Sequence, residues 1–305
     1  MDLKNSQSCI SESYELFSSV PEVAREQPCI MGIDEAGRGP VLGPMVYGTC
    51  YCPVLYGEEL KDLKFADSKT LTEAQRLSFF QTIDNNEHMG WGLEVISPSL
   101  ISNSMFKRAK YNLNMLSHDT AKKLIEKVLA RGVKLEKVFL DTVGPPEKYQ
   151  AKLSAFFPNL EITVSKKADS LFPIVSAASI CAKVARDQAL KEWVLEEAES
   201  EANDEGWGSG YPGDPATKKF LKEHIDPVFG FPDLVRFSWS TAKELMEKHC
   251  VKVLWDDEDL EEASPRKRQR SIASFFGGHD VQESRQRSMF FKERCLRPLS
   301  SWEAK

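Results

Sequence analysis

The strongest constraint on the fold is a short apolar run that ends in two adjacent carboxylates and a glycine-rich loop. Residues 29–33 are Cys-Ile-Met-Gly-Ile, Asp34 and Glu35 follow, and the next five residues are Ala-Gly-Arg-Gly-Pro. Such an apolar run, broken by glycines, is typical of a buried strand. Its terminal acids must face a cleft, because burying an unpaired charge is costly. The pattern therefore predicts a site at the end of this strand.

The loop that follows these acids, Gly37-Arg38-Gly39, suits an anionic ligand. The backbone at Gly37 and Gly39 can approach a ligand closely because glycine has no side chain, and Arg38 supplies a cation that suits phosphate. Carboxylates beside such a loop indicate metal ions that act on a phosphodiester. For an Asp-Glu pair considered alone, an ordinary solvated turn is the more frequent arrangement.

Two further acids follow later strands. The apolar residues 138–140 lead into Asp141, and the strand predicted at 161–164 is followed by Asp169. Strands that end in acids and alternate with helices predict an α/β sheet with its site at the carboxyl ends of the strands. Carboxylate oxygens favour Mg²⁺ or Mn²⁺, and two such ions ~3.5–4 Å apart can activate water and stabilise a leaving 3′-oxygen.

Hydrophobic spacing and turn residues predict the other elements of the central region. Further strands are expected at 41–52, as one or two strands antiparallel to the first, and at 91–96. Helices are expected from Thr70 or Thr72, over 101–131, and from 174 to about 196. The last of these helices is lined with small residues, which allow close packing on a sheet.

Lys69 and Tyr211 are the candidates for substrate contact outside the acids and their loop. Lys69 lies at a predicted helix start, where an anion is favoured. For its side chain, phosphate binding and simple exposure to solvent are equally weighted alternatives. Tyr211 lies between glycine and proline, where its ring can stack on a sugar or base, or cap the edge of the core. Lys183, Arg186 and Asp187 are expected on an exposed charged face of their helix.

Composition excludes several classes of protein. No apolar run is long enough to span a membrane, so a soluble intracellular protein is expected. The 7 cysteines lack the spacing of a disulfide framework or a CxxC metal site. A net charge of −6 argues against binding nucleic acid through the charge of the whole surface. Any nucleic-acid site must therefore be local or be completed by a partner.

Composition also divides the chain into three segments. Residues 1–27 are rich in serine and are expected to be weakly ordered, residues 28–250 form the predicted catalytic domain, and residues 251–305 form a charged, flexible tail. The tail passes from an acidic run at 256–262 to a basic cluster at 265–270, which resembles a nuclear import signal.

Six motifs, in order, resemble type 2 ribonuclease H. They are G-I-D-E-A-G-R-G-P at 32–40, A-D-S-K at 66–69, L-D-T at 140–142, K-A-D at 167–169, S-A-A-S-I at 176–180 and G-Y-P at 210–212. The match covers about residues 28–250, and the chain's length and tail resemble the eukaryotic heterotrimeric enzymes more than the shorter bacterial ones. The resemblance implies a ribonuclease-H-like α/β fold with a mixed five-stranded sheet flanked by helices, followed by a small helical region.

The same resemblance implies roles for single residues. Asp34, Glu35, Asp141 and Asp169 would hold two metal ions, the backbone of Gly37, Arg38 and Gly39 would contact the ribose 2′-hydroxyl, and Tyr211 would stack on the sugar beyond an RNA-to-DNA junction. The implied reaction is hydrolysis on the 5′ side of a ribonucleotide, in an RNA–DNA hybrid or in duplex DNA. The alternatives are another two-metal nuclease or strand-transferase of the same fold, or a non-enzymatic scaffold.

The resemblance also implies two accessory subunits and a nuclear role in ribonucleotide removal. The tail holds a candidate docking motif with the spacing Q-x-x-I-x-x-F-F, formed by Gln269, Ile272, Phe275 and Phe276. This spacing resembles the motif by which replication proteins bind the sliding clamp. The accessory subunits are an equally weighted partner for the same residues, with the Met-Phe-Phe at 289–291 as a second anchor.

Overall fold

The computed structural model describes residues 12–57, 59–62, 71–108, 111–195 and 206–252. Lys69 and the rest of the A-D-S-K motif lie outside these ranges. So do the tail residues Gln269, Ile272, Phe275 and Phe276.

The described residues contain a mixed sheet of six strands. The strands are β1 (Tyr14–Phe17), β2 (Cys29–Ala36), β3 (Met45–Pro53), β4 (Gly90–Ile96), β5 (Leu135–Asp141) and β6 (Glu161–Ser165). Their order across the sheet is β1-β4-β3-β2-β5-β6. The first four positions pair antiparallel, whereas β2, β5 and β6 run parallel. The carboxyl ends of β2, β5 and β6 therefore meet at one edge.

Helices cover both faces of the sheet and continue beyond it. They are α1 (Glu22–Glu26), α2 (Glu59–Asp62), α3 (Glu73–Asp84), α4 (Pro98–Met105), α5 (Leu113–Ala130), α6 (Pro146–Phe156), α7 (Ala168–Leu171), α8 (Pro173–Lys191), α9 (Pro215–Glu223) and α10 (Ser240–His249). A 3₁₀ turn, Val54–Gly57, follows β3. No helix of the described residues is both long and apolar enough to cross a membrane.

The prediction of five strands is wrong by one, because β1 lies inside the segment 1–27 that was expected to be weakly ordered. The serines that suggested disorder instead close the pairing with β4. Ser18 Oγ accepts a hydrogen bond of 2.9 Å from the backbone N–H of Trp91, and Ser13 Oγ accepts one of 2.9 Å from that of Ser97. Glu15 forms ion pairs with two lysines of α5, which fix the strand at the sheet edge.

The single helix predicted over 101–131 is also wrong, because two helices occupy this region. Ser97 caps the start of α4, with Pro98 in its first turn, and Phe106 ends it. The Asn112 side chain then accepts a hydrogen bond from the backbone N–H of Met115 and begins α5. The predicted start at Thr72 is confirmed, since its side chain forms a capping box at the head of α3.

Helix α8 packs closely on the central strands through small residues, as predicted. A Cβ atom added to Gly32 of β2 would lie 2.3 Å from the carbonyl oxygen of Ile174, and one on Gly48 of β3 would lie 2.5 Å from that of Ala178. These contacts leave no room for a side chain at either glycine, so the backbone of α8 lies directly on the two strands there. Helix α5 covers the opposite face of the sheet with Leu124, a member of the larger apolar cluster.

A separate apolar cluster holds the region after α8, which confirms the small helical region. Phe220 and Leu221 of α9 and Leu234 pack in it against Val41 and Leu42, which directly follow the glycine loop. The backbone N–H of Arg236 donates to Val41 O at 2.9 Å. The C-terminal part of the described chain is thereby anchored beside the predicted site.

Candidate active site

The four predicted acids lie at one edge of the sheet. Asp34 and Glu35 are near the end of β2, Asp141 is the last residue of β5, and Asp169 follows β6 in the short helix α7. Because β2 and β5 are parallel neighbours, Asp34 and Asp141 end adjacent strands. The negative charges of Asp141 and Asp169 both act on Asp34, so these carboxylates share one electrostatic site.

Backbone N–H groups orient two of these carboxylates. Asp34 Oδ1 accepts a hydrogen bond of 2.8 Å from the N–H of Glu35. Asp141 Oδ1 accepts two, from Thr142 at 3.0 Å and from Ala168 at 3.2 Å. The loop after β6 thus holds the acid at the end of β5, and the side chains have little rotational freedom.

Burial and like charge oppose ionisation of the cluster. Burial raises the pKa of Asp34 to about 7, and the charge of Asp141 adds to this, although a hydrogen bond from Ser179 opposes it. Burial also raises the pKa of Glu35 to about 8, with Asp34 as the second cause, while Arg38 acts in the opposite direction. The carboxylates therefore need an added positive charge before all of them can ionise together.

Arg236 is fully buried and holds the backbone of the glycine loop. Its Nε donates to the carbonyl oxygen of Gly43 at 2.8 Å, its Nη1 to that of Arg38 at 3.1 Å, and its Nη2 to that of Gly37 at 2.6 Å. One guanidinium thus binds three backbone carbonyls. Burial lowers its pKa to about 9, with the positive charge of Arg186 as a second cause.

Trp239 completes the support of the loop. Its Nε1 donates to the carbonyl oxygen of Gly39 at 3.0 Å, and its ring lies 4.9 Å from the Arg236 guanidinium. All three carbonyls of Gly37, Arg38 and Gly39 therefore have partners, and the backbone of the loop is fixed. Neither Arg236 nor Trp239 was predicted from the sequence, because contacts to backbone atoms about two hundred residues away leave no motif.

Arg38 itself is held at its tip. Its Nη2 donates to Oδ1 of Asn114, in the first turn of α5. The side chain is partly exposed, and its charge acts on the half-buried Glu35. Arg38 thus combines a positioned cation with access from solvent, as phosphate binding requires.

Arg186 does not lie on an exposed charged face, so that prediction is wrong for this residue. A Cβ atom added to Gly37 would lie 2.2 Å from Arg186 Nε, and Gly37 has a φ of 77°. Burial lowers the pKa of Arg186, and its Nε and Nη2 are buried without a hydrogen-bond partner among the described residues. Its neighbour Asp187 instead pairs with Arg76 at 2.7 Å.

Tyr211 lies against the same loop. A Cβ atom on Gly39 would be 3.2 Å from its ring, and the ring is 50% exposed. The preceding Gly210 accepts a hydrogen bond of 2.8 Å from Val41, which ties the tyrosine turn to the glycine loop. The structure thus brings together the acids, the loop and the tyrosine, whereas Lys69 lies outside the described residues.

The fold resembles solved structures of nucleases. A ribonuclease H2 from Pyrococcus horikoshii OT3 is similar with a TM-score of 0.59 and 30% identity, over 72% of this chain and 98% of that one. Ribonuclease HII from Archaeoglobus fulgidus, solved in a complex with PCNA, is similar with a TM-score of 0.59 and 29% identity, over 75% and 99% of the two chains. Fold and acid cluster together define a ribonuclease-H-type nuclease.

Sequence comparisons give the family. The family model described as Ribonuclease HII matches residues 31–242. The A subunit of ribonuclease H2 from Homo sapiens is 51% identical over 302 residues, which cover 99% of this chain and 100% of the human one. The corresponding Arabidopsis thaliana protein is 54% identical over 258 residues, or 84% and 86% of the two chains. The chain belongs to the ribonuclease HII family and is an endoribonuclease of the ribonuclease H2 type.

The first prediction concerns Arg236. Arg236→Lys keeps a positive charge but cannot bind three carbonyls at once, so at least one buried carbonyl loses its partner. We expect the free energy of unfolding to fall by about 1–3 kcal/mol. A displaced loop lowers kcat/KM by about 100-fold. Denaturant unfolding and steady-state kinetics measure both quantities. Arg25→Lys, at an exposed position on α1, is the control, and a kcat/KM of Arg236→Lys within twofold of the wild type would contradict the assigned role.

The second prediction concerns pH. Because the pKa of Asp34 is raised in the folded protein, the folded state keeps a proton that the unfolded chain loses above its ordinary pKa of 3.8. Without divalent ions, this group therefore destabilises the protein as the pH rises from about 4 to about 7. Asp34→Asn removes the effect, so the variant should be more stable than the wild type by at least ~1 kcal/mol at pH ~8, and by less at pH ~5.

Urea unfolding in the presence of a chelator measures this difference. Added Mg²⁺ should stabilise the wild type at the higher pH more than it stabilises Asp34→Asn. If Asp34→Asn were more stable than the wild type by the same free energy at both pH values, burial and like charge would not raise the pKa of Asp34.

Proposed function

We propose that the chain is the catalytic subunit of a heterotrimeric ribonuclease H2. It hydrolyses the phosphodiester on the 5′ side of ribonucleotides, both in RNA–DNA hybrids and at single ribonucleotides in duplex DNA, and leaves a 3′-hydroxyl and a 5′-phosphate. The observation that carries this proposal is the cluster of buried and half-buried strand-end carboxylates beside a glycine loop whose carbonyls are fixed by Arg236 and Trp239.

The donor set fits two Mg²⁺ or Mn²⁺ ions, with Asp34, Glu35, Asp141 and Asp169 as ligands. All four supply hard oxygen donors, and the raised pKa values of Asp34 and Glu35 are what a site built for cations would show without them. A protein of similar fold, Bst ribonuclease HIII, was solved in complex with Mn²⁺. When bound, a pair of such ions activates water and stabilises the leaving oxygen.

The side chains of the four acids do not form a closed metal cage in this structure. Among residues 12–57, 59–62, 71–108, 111–195 and 206–252, no group of three or more His, Cys, Asp or Glu side chains already forms a metal cage. The carboxylates of Asp34, Glu35 and Asp169 would have to lie closer together to hold the ions, and the N–H groups of Thr142 and Ala168 already orient Asp141.

The glycine loop supplies selectivity for ribose. Its backbone, at Gly37, Arg38 and Gly39, contacts the 2′-hydroxyl, which distinguishes a ribonucleotide from a deoxyribonucleotide. A fixed loop can do this because its groups need not be ordered again for each substrate. Arg38 binds phosphate at the same point, and Tyr211, half exposed beside Gly39, stacks on the sugar that follows the ribonucleotide.

Partners complete the enzyme. The human and mouse relatives, which this chain matches over nearly its whole length, are A subunits of ribonuclease H2, and this supports two accessory subunits. A net charge of −6 favours assembly before efficient binding of nucleic acid. The Archaeoglobus relative was solved with PCNA, which supports the sliding clamp as a partner of the tail motif, with the accessory subunits as the alternative. The cellular location that we propose is the nucleus.

The third prediction tests the reaction on a duplex with one embedded ribonucleotide. Asp141→Asn removes a metal ligand at nearly constant shape, so kcat should fall by at least ~100-fold, while the substrate dissociation constant changes little. Glu147→Ala, at an exposed acid six residues later, is the control. Measurements with and without the accessory subunits test the assembly proposal.

Three outcomes of this assay separate the alternatives. Normal turnover of Asp141→Asn would contradict the assignment of the acids. Joined instead of cleaved products would indicate a strand-transferase. No metal-dependent cleavage by the assembled wild type would indicate a scaffold.

The fourth prediction concerns Tyr211. If its ring stacks on the sugar beyond the ribonucleotide, Tyr211→Ala loses ~1–3 kcal/mol of this contact, and Tyr211→Phe keeps most of it. We expect the alanine variant to lose more kcat/KM at a single ribonucleotide than within a long RNA–DNA hybrid. Equal losses on both substrates would favour the alternative that the ring only caps the edge of the core.

A further inference from the structure

Lys167 has a backbone conformation that a lysine seldom adopts. Its φ is 56° and its ψ is 41°, and it is the one residue other than glycine with a positive φ in the part of the chain that the structure describes. In this left-handed region a Cβ atom crowds the backbone, so glycine, or asparagine with its short polar side chain, is the usual choice. A strained lysine must therefore be retained for a reason other than local stability.

The strain lies where the chain passes from β6 to the acid of α7. Ala168 directly follows Lys167 and is buried, and its N–H donates to Asp141 Oδ1 at 3.2 Å. The next residue, Asp169, is also buried, and the N–H of Ser170 donates to the carbonyl oxygen of Lys167 at 2.9 Å. The left-handed turn thus lets one short segment orient one acid and supply another.

The side chain of Lys167 places a positive charge at the surface, directly before this buried segment. Lys167 is exposed, whereas the two residues after it are buried. Within the described ranges, no carboxylate forms an ion pair with Lys167. Among the described residues, no ion pair occupies this cation, and a nucleic-acid substrate that reaches Asp169 would bring its phosphates to the same place.

We propose that Lys167 is both a positioning residue and a phosphate-binding residue of this site. Its left-handed backbone aims the N–H of Ala168 at Asp141, and its side chain binds a substrate phosphate close to the scissile linkage. The second part rests on the proposed function, since it requires a nucleic-acid substrate.

The two roles separate by substitution because they depend on different atoms. Lys167→Gly and Lys167→Asn accept the left-handed conformation but remove the cation. Lys167→Arg keeps the cation at the same backbone cost. Lys167→Val and Lys167→Ala also remove the cation. Valine disfavours the left-handed conformation strongly because its Cβ atom is branched, and alanine disfavours it less than valine but more than glycine or asparagine.

Binding tests the side chain. The full chain, purified with its accessory subunits, is titrated with a duplex that carries one ribonucleotide, in a chelator and at several salt concentrations. We expect Lys167→Asn to raise the dissociation constant about fivefold. A plot of log Kd against log salt concentration should have a slope that is smaller by about 0.9 than for the wild type, as for one lost phosphate contact. Lys167→Arg should retain the wild-type slope. Lys134→Asn, at an exposed lysine before β5 and so at the opposite end of the sheet, controls for net charge.

Turnover at saturating substrate tests the backbone. Lys167→Gly and Lys167→Asn both lack the cation and both accept the left-handed conformation, so they should have the same kcat and should melt at the wild-type temperature or above it. Lys167→Val should lower kcat about tenfold below Lys167→Asn, since the N–H that orients Asp141 moves away. If Lys167→Val does not fold, Lys167→Ala should show the same effect at a smaller size.

Each negative result overturns one part. An unchanged salt slope in Lys167→Asn contradicts the phosphate contact, and equal kcat values for the glycine, asparagine, alanine and valine variants contradict the positioning role. Failure of the assembled wild type to cleave or bind the duplex would instead overturn the proposed function, and would be seen before any variant is compared.

Discussion

The burial of Asp34 and Asp169 beside two further, half-buried carboxylates is the constraint on which the rest of the structure depends. A cluster in which burial raises the pKa of Asp34 to about 7 is destabilising when empty at neutral pH, so the surrounding fold must supply the compensation. The compensation is dense packing. Helix α8 contacts β2 and β3 through backbone atoms, and two apolar clusters cover the two faces of the sheet. The sheet edge can therefore hold like charges without opening.

A second compensation is the placement of three arginines, which lie at the glycine loop and do not form ion pairs with the acids of the site. Arg38 is held by Asn114, Arg236 by backbone carbonyls, and Arg186 is buried beside Gly37. A direct ion pair would neutralise the acids and occupy the oxygens that metal ions need. Because Arg38 and Arg236 bind neutral groups, the acids keep their negative charge and the arginines keep their positive charge beside them.

The sequence was sufficient to predict that acids lie near the ends of neighbouring strands, although not the number of strands in the sheet. Asp34 and Asp141 follow apolar runs, and the periodicity of strands places their ends together without any long-range information. Long-range contacts were not predictable. The strand β1 was missed because the serines that flank it hydrogen-bond to a distant part of the chain. Arg186 was misplaced because the spacing along a helix does not show which neighbour covers a charged residue. Arg236 left no signal, since its partners are carbonyls that every residue has.

The contact between Arg236 and the glycine loop has a consequence for the synthesis of the chain. The guanidinium is separated from Gly37 by 199 positions, so it emerges from the ribosome long after the loop and the strand-end acids. Until then the carbonyls of the loop have no arginine to bind, and the nascent sheet carries its acids beside a loop without this support. A chain truncated before Arg236 therefore has the acids but lacks the guanidinium that holds the glycine loop.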